Sequence, residues 1–159
     1  MIEDSPESFV ARWRQHAASV ELFPHTEGSP LLEMRAGSTL MQLFERTGPY
    51  LARPGRAQVI VHPVTESVER VDDTTALPGI EVTGVSAFEI HARVVAVEGR
   101  MVVMDAGIPL VVAVLAQQGA PLAPGELVRF TNRPPAHAFV LLDERRKTRG
   151  REEHYEDSI

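Results

Sequence analysis

Residues 88–116, with the sequence FEIHARVVAVEGRMVVMDAGIPLVVAVLA, constrain the fold of this chain more than any other segment. Of these 29 residues, 20 are Phe, Ile, Leu, Val, Ala or Met, and only Glu98-Gly99 and Asp105-Ala106-Gly107 interrupt the apolar pattern. Short β-branched runs bounded by glycine turns are typical of strands. The segment therefore predicts three strands, at 88–97, 100–105 and 109–116, buried in one core.

Two further strands are predicted beyond this run. Pro124-Gly125 precedes an apolar segment at 126–131, and Arg133-Pro134-Pro135 precedes another at 136–142. Five short strands separated by Gly and Pro turns favour a small antiparallel five-stranded β-barrel over residues 80–142. The fold class is mainly β, with an OB-like barrel as the first interpretation. An SH3-like barrel fits about as well, and both resemblances concern architecture only.

An N-terminal helix is predicted over residues 6–18. Ser5 is a suitable N-cap and Pro6 suits the first helical position. Apolar residues then recur at helical spacing on one face: Phe9, Val10, Trp13 and Ala17. We expect this face to pack Trp13 onto the sheet or over one end of the barrel.

Residues 19–71 predict an additional N-terminal β/α segment. The run at 58–62 indicates a strand. Leu40, Leu43 and Phe44 make one apolar face of a helix over 39–46, capped by Ser38, although a strand over 38–44 fits the same residues. A helix there wrapped by a long antiparallel sheet would give a hot-dog arrangement, which is the alternative fold.

The chain thus divides into four predicted parts. Residues 1–71 form the helix and the mixed extension, 72–79 (DDTTALPG) a polar linker, 80–142 the barrel, and 143–159 a charged flexible tail. The linker assignment depends on its turn-forming residues. The sequence does not decide whether 19–71 is a separate subdomain or completes the sheet of 80–142.

Composition narrows the environment and the class of partner. The chain has 159 residues, a formal net charge of −6 and no cysteine, so it has no disulfide or thiol chemistry. No apolar run approaches the roughly 20 residues of a membrane helix, and the acidic start MIEDSPES lacks the basic beginning of a secretory signal. We therefore expect a cytoplasmic protein with no membrane association. No segment has the basic excess that nucleic-acid binding favours.

Candidate site residues come mostly from the predicted strands. Glu89, His91 and Arg93 share one face of the 88–97 strand and form the candidate ligand-binding cluster. His62, His91 and Asp105 are the candidate catalytic groups, although the pattern at 105–107 favours a turn-forming role for Asp105 with Gly107. No histidine pairs at metal-ligand spacing, so we expect no metal site and no cofactor.

The tail contains the remaining charge feature. Five basic residues, Arg145, Arg146, Lys147, Arg149 and Arg151, fall within seven positions and would contact phosphates if the chain bound nucleic acid. Acidic residues follow directly at 152–157, which weakens that hypothesis.

Three functional hypotheses follow. The first is a non-catalytic β-barrel module that binds another macromolecule, a protein partner included, or assembles with itself. A homodimer is expected if a second subunit covers strand 109–116, which is apolar on both faces. The second is a small hot-dog hydrolase acting on acyl thioesters, and the third is weak nucleic-acid binding through the tail.

Overall fold

Eleven strands and one short helix make up the part of the chain that the structure, a computed structural model, describes: residues 5–24, 28–46, 53–72 and 76–141. The helix α1 spans Pro6–Trp13 and is followed by one 3₁₀ turn, Arg14–His16. The strands are β1 Ala18–Leu22, β2 Leu31–Ala36, β3 Thr39–Glu45, β4 Gly55–Thr65, β5 Glu69–Arg70, β6 Gly79–Gly84, β7 Ala87–Glu98, β8 Met101–Asp105, β9 Pro109–Val114, β10 Leu127–Thr131 and β11 Arg133–Val140.

Five of these strands close into a barrel. β1 pairs with β2 and β4, β2 pairs with β3, and β11 pairs with both β3 and β4, so the ring returns to its first strand. All pairs in the ring are antiparallel except β3–β11, which is parallel. The prediction of a mainly β fold with a five-stranded barrel and an N-terminal helix is confirmed, and the barrel is mixed rather than wholly antiparallel.

The remaining strands continue the same sheet from the other side of β4. β4 pairs with β9 in parallel, and β8, β7, β10 and β5 follow in that order. The strand β6 lies outside this order and pairs with β7. The last strand of this series, β5, follows β4 in the chain after three residues. The arc of strands from β4 to β5 therefore curls back towards β4. The sheet thus joins strands from both sides of the predicted linker at 72–79.

The predicted strands of the second half are all present. β7, β8, β9, β10 and β11 correspond to the segments predicted at 88–97, 100–105, 109–116, 126–131 and 136–142. The strand β11 completes the ring that β1 to β4 begin. The 80–142 segment therefore contributes one strand, β11, to the closed barrel, so the barrel is not formed by the five strands of 80–142 from which it was predicted.

Of the two alternatives for this segment, the helix over 39–46 is wrong and the strand over 38–44 is confirmed, because Thr39–Glu45 forms the strand β3. Met41 and Leu43 alternate into the core, whereas Leu40 is 55% exposed, so the burial period is two and not that of a helix. Gly37, at a φ of +62°, and Ser38 form the turn of the β2–β3 hairpin, so Ser38 caps no helix. The hot-dog arrangement, which requires that central helix, is not the observed fold.

The N-terminal helix begins where the sequence predicts and ends five residues earlier. The Ser5 side chain accepts a hydrogen bond from the Ser8 amide at 3.1 Å, as an N-cap does. The helix stops at Trp13 because Ala18 already pairs with Val59 at the start of β1.

The helix and the sheet together account for both faces of β9. On one face, Leu110 and Val112 belong to the continuous core inside the curled sheet. On the other face, Val111 and Ala113 pack in a second cluster with Phe9 and Trp13 of α1. The cover that the apolar strand 109–116 requires is therefore supplied within this chain.

Buried hydrogen bonds made by Asn132 and Ser86 stabilise the connection between β10 and β11. The Asn132 side-chain oxygen accepts the Phe88 amide at 2.7 Å, and its amide group donates to the carbonyls of Ser86 and Arg133 at 3.2 and 3.0 Å. The Ser86 hydroxyl bonds both the amide and the carbonyl of Ala136. These contacts tie the β6–β7 turn to the point where the chain passes from β10 to β11.

Candidate functional site

The candidate cluster Glu89, His91 and Arg93 lies on the outer face of β7. The alternate residues Phe88 and Ile90 are buried in the core, so strand periodicity places the three ionisable side chains together as the sequence predicts. The three side chains make different contacts, and these contacts determine which of them is available to bind a ligand.

Glu89 belongs to an ion-pair network across three strands. Arg129 on β10 donates from Nε to Glu89 Oε1 at 2.7 Å and from Nη1 to Glu69 Oε2 on β5 at 3.3 Å. The hydrogen bond to Glu89 raises the pKa of Arg129 above its ordinary value, and the charges of Glu89 and Glu69 add to this effect. Arg129 therefore stays cationic and holds both carboxylates.

The other two members of the cluster occupy different positions. Arg93 Nη1 donates to the carbonyl of Gly125 at 2.9 Å and so fastens the turn that precedes β10. His91 is half-buried and lies between Arg129 on β10 and Gly79 on β6 in the sheet register. Two of the three members are thus already engaged in structural contacts: Glu89 binds Arg129 of β10, and Arg93 binds the turn that precedes β10.

The ion-pair network ends at Glu89 and does not extend to the neighbouring strand β6. Glu81 of β6 lies directly opposite Glu89, and it forms no ion pair within the described ranges. On its other side β6 has no hydrogen-bonded strand in the part of the chain that the structure describes. The outer backbone edge of β6 and the Glu81 carboxylate are therefore both presented at the border of the sheet.

Apolar side chains are exposed around the same edge. Leu77 just before β6, Val82 within it and Val85 just after it are exposed, whereas the exposed Val95 and Val97 lie on the far part of β7, which pairs with β8 and not with β6. Val82, 47% exposed, sits opposite the fully buried Phe88, so the apolar core reaches the surface at β6. Such a concentration is typical of an interaction surface.

The sequence did not predict β6. Its residues fall at the end of the predicted linker and the start of the predicted barrel. The signal was nevertheless there: Ile80, Glu81, Val82 and Thr83 alternate between two glycines, a pattern that favours a strand. Turn residues just before it, at 72–79, obscured this pattern.

His62, the first candidate catalytic group, lies beneath α1. It is 1% exposed, and its Nδ1 lies 2.7 Å from the Val111 carbonyl oxygen, so Nδ1 carries the proton and donates. The Phe9 ring covers it at a centroid distance of 4.7 Å. A side chain in this position stabilises the contact between helix and sheet and does not face solvent.

Asp105 lies at the β8–β9 turn. Its Oδ1 accepts the Gly107 amide at 2.9 Å, and Gly107 has a φ of +92°, which is the turn role that the sequence allows for both residues. In the sheet register His62 faces His137 and Asp105 faces Arg93. The structure therefore does not bring His62, His91 and Asp105 together as one constellation.

Other kinds of site receive no support from the described residues. Nowhere in those ranges do three or more His, Asp or Glu side chains gather as metal ligands would. The basic tail residues Arg145, Arg146, Lys147, Arg149 and Arg151 lie outside the described residues. The helices described include none with the length and apolar character that crossing a membrane requires.

The fold and this surface define a mainly β protein with a closed five-stranded barrel, a covering helix and an open, partly apolar strand edge at β6. Comparison of the chain with protein-family models, with curated proteins and with solved structures finds no match.

Proposed function

We propose that this protein is a non-catalytic interaction module that binds an extended segment of a protein partner along β6. The observation that carries the proposal is the outer edge of β6, which has no hydrogen-bonded strand in the described ranges although β3 approaches β6 without pairing with it. Leu77, Val82 and Val85 are exposed beside this edge. An open edge offers unpaired backbone N–H and C=O groups, and an added strand satisfies them while pockets or patches select its side chains.

The composition of β6 favours the binding of another strand, because it lacks the residues that usually protect an edge strand from pairing. Natural edge strands are usually blunted by Lys, Pro, inward charges or bulges. The sequence of β6, GIEVTG, contains no Lys, Arg or Pro, and its only charge is Glu81. The register irregularity falls between Val82 and Gly84, so pairing is regular over Gly79–Val82. This leaves a short straight edge that one peptide strand can extend.

A second copy of this chain is the alternative occupant of the edge. The expectation of a homodimer began from the two apolar faces of β9, and α1 and the barrel core account for both. A dimer through β6 would be a different interface, and sedimentation velocity at micromolar concentration separates it from binding of a peptide by a monomer.

The proposal is tested with Val82→Lys and a matched control. Selection of a displayed library of random decapeptides against the protein should enrich β-branched sequences, and binding of a selected peptide should perturb the NMR amide signals of residues 79–84. Lys at position 82 adds an edge-blocking charge and should weaken binding at least tenfold. Val95→Lys, at a site of nearly equal exposure (48% against 47%), should leave binding unchanged.

Two results would contradict the proposal. One is the absence of any enriched peptide that perturbs residues 79–84. The other is a selected peptide that binds the Val82→Lys variant as tightly as the original protein.

A further inference from the structure

Charges alternate in sign across the outer face of the sheet until they reach β6. Glu69 on β5, Arg129 on β10 and Glu89 on β7 form a row of negative, positive and negative groups joined by ion pairs of 3.3 and 2.7 Å, in which Arg129 reaches Glu89 diagonally because its register partner on β7 is His91. The next strand continues the row with Glu81, a second negative charge, in direct register with Glu89. The alternation is therefore broken at the border of the sheet.

The position next to Glu81 on an added strand would restore this alternation. Like charges directly opposite in neighbouring strands repel, and opposite charges attract. Glu89 is already engaged by Arg129, whereas Glu81 is exposed and forms no ion pair in the described ranges. A cation on the strand added at β6 would thus face the Glu81 carboxylate. The cross-strand neighbour of Glu81 on β7, Glu89, is also negative.

The other face of the same edge is apolar. Val82 points to the side on which Ile80 packs against the core and on which Phe88 is fully buried. Successive residues of an added strand point to opposite faces, so the residue that follows or precedes the cation would lie beside Val82. A β-branched or other apolar side chain there would cover the exposed part of Val82.

We infer that the segment bound at β6 alternates cationic and apolar residues, with Lys or Arg opposite Glu81 and a β-branched residue beside Val82. This inference rests on the proposed strand-addition function and adds the chemistry of the partner. Selectivity comes from the pair formed with Glu81, and backbone hydrogen bonds supply the part of the affinity that does not depend on sequence.

The experiment compares three heptapeptides of alternating Thr and Val that differ only at the central Thr position, which is Arg, Gln or Glu. Affinities for the original protein should rank Arg above Gln above Glu, with up to about fivefold between successive peptides, as expected for one cross-strand charge pair. The preference should shrink at high salt, because the pair is exposed. Glu81→Lys should reverse the ranking, and Glu81→Gln should remove most of it.

Glu33→Lys is the matched control. It makes the same change in net charge at an exposed strand position on β2, and it should leave the ranking as in the original protein. Equal binding of all three peptides at residues 79–84 would overturn the charge inference and leave the proposed function standing. A preference for Arg that persists in Glu81→Lys would also overturn it. Failure of all three peptides to bind would count against the proposed function itself.

Discussion

Asn132 shows how one buried polar residue can organise a turn between strands. Its side chain bonds the Phe88 amide and the carbonyls of Ser86 and Arg133, so it satisfies backbone groups of two separate segments. Buried backbone groups that lose such a partner are costly because water cannot replace it. The residue is polar for a structural reason, and it belongs to no candidate active site.

Asn132→Ala should therefore destabilise the protein by about 1–3 kcal/mol, since it leaves the buried Phe88 amide without its acceptor. Urea unfolding followed by circular dichroism measures the change. Thr131→Ala, at the exposed neighbouring position, should stay within about 0.5 kcal/mol of the original protein. A loss below that value for Asn132→Ala would contradict the role assigned to its side chain.

At the scale of elements, α1 is short but covers the centre of the sheet. Phe9 stacks on Phe139 at a centroid distance of 4.3 Å and lies over His62, and Trp13 completes the cluster on β9. Eight residues would not form a stable helix in isolation. The burial of these two aromatic side chains therefore holds α1 in place.

Phe9→Ala should cost about 3–5 kcal/mol, the usual range for removing a large buried aromatic side chain. Denaturant unfolding tests this value. The control on the same helix is Glu7→Ala, whose side chain is exposed and whose replacement should change stability by about 0.5 kcal/mol or less. If the two variants were equally stable, α1 would not contribute the cover of β9 described above.

The elements that the sequence predicted correctly are those with an uninterrupted local pattern. β7 to β11 follow from apolar runs bounded by Gly and Pro, and α1 from its cap and spacing. The segment of β3 was ambiguous because Leu40, Leu43 and Phe44 also fit one face of a helix. In the structure this segment pairs with β2 and is therefore a strand. β6 was missed because it is short and follows a segment rich in turn residues.

Only the part of the candidate site that lies on a single strand, β7, could be predicted from the sequence. Periodicity placed Glu89, His91 and Arg93 on one face, but Arg129 and Glu81 come from other strands and meet Glu89 through the register of the sheet. Register between strands depends on contacts distant in the sequence, which a single sequence does not display. The same reason hid the pairing of β11 with β3.

At the scale of the whole molecule, β4 is the strand on which both parts of the sheet depend. It pairs with β1 and β11 in the closed ring and with β9 in the continuing arc. Residues 59–63 are buried without interruption along it. β6 is the opposite case, because it pairs with β7 alone in the described structure and is largely exposed.

Amide hydrogen exchange should reflect this contrast. Amides of residues 59–62 should exchange only through global unfolding, whereas those of 79–84 should exchange through local opening and be protected far less. NMR detection after transfer to D₂O gives both values in one experiment. Protection of 79–84 equal to that of 59–62 would show that another part of the molecule covers β6, and it would speak against an accessible edge.

The parallel pair of β3 and β11 has a consequence for how the protein is made. A ribosome adds roughly 5–20 residues per second. About 90 residues separate the end of β3 from the start of β11, so β3 waits roughly 4–18 s for its neighbour to be synthesised. During that interval the nascent chain carries β1 to β4 as an unclosed sheet with a free backbone border. Cellular factors that shield such borders should therefore matter most for this protein while it is still attached to the ribosome.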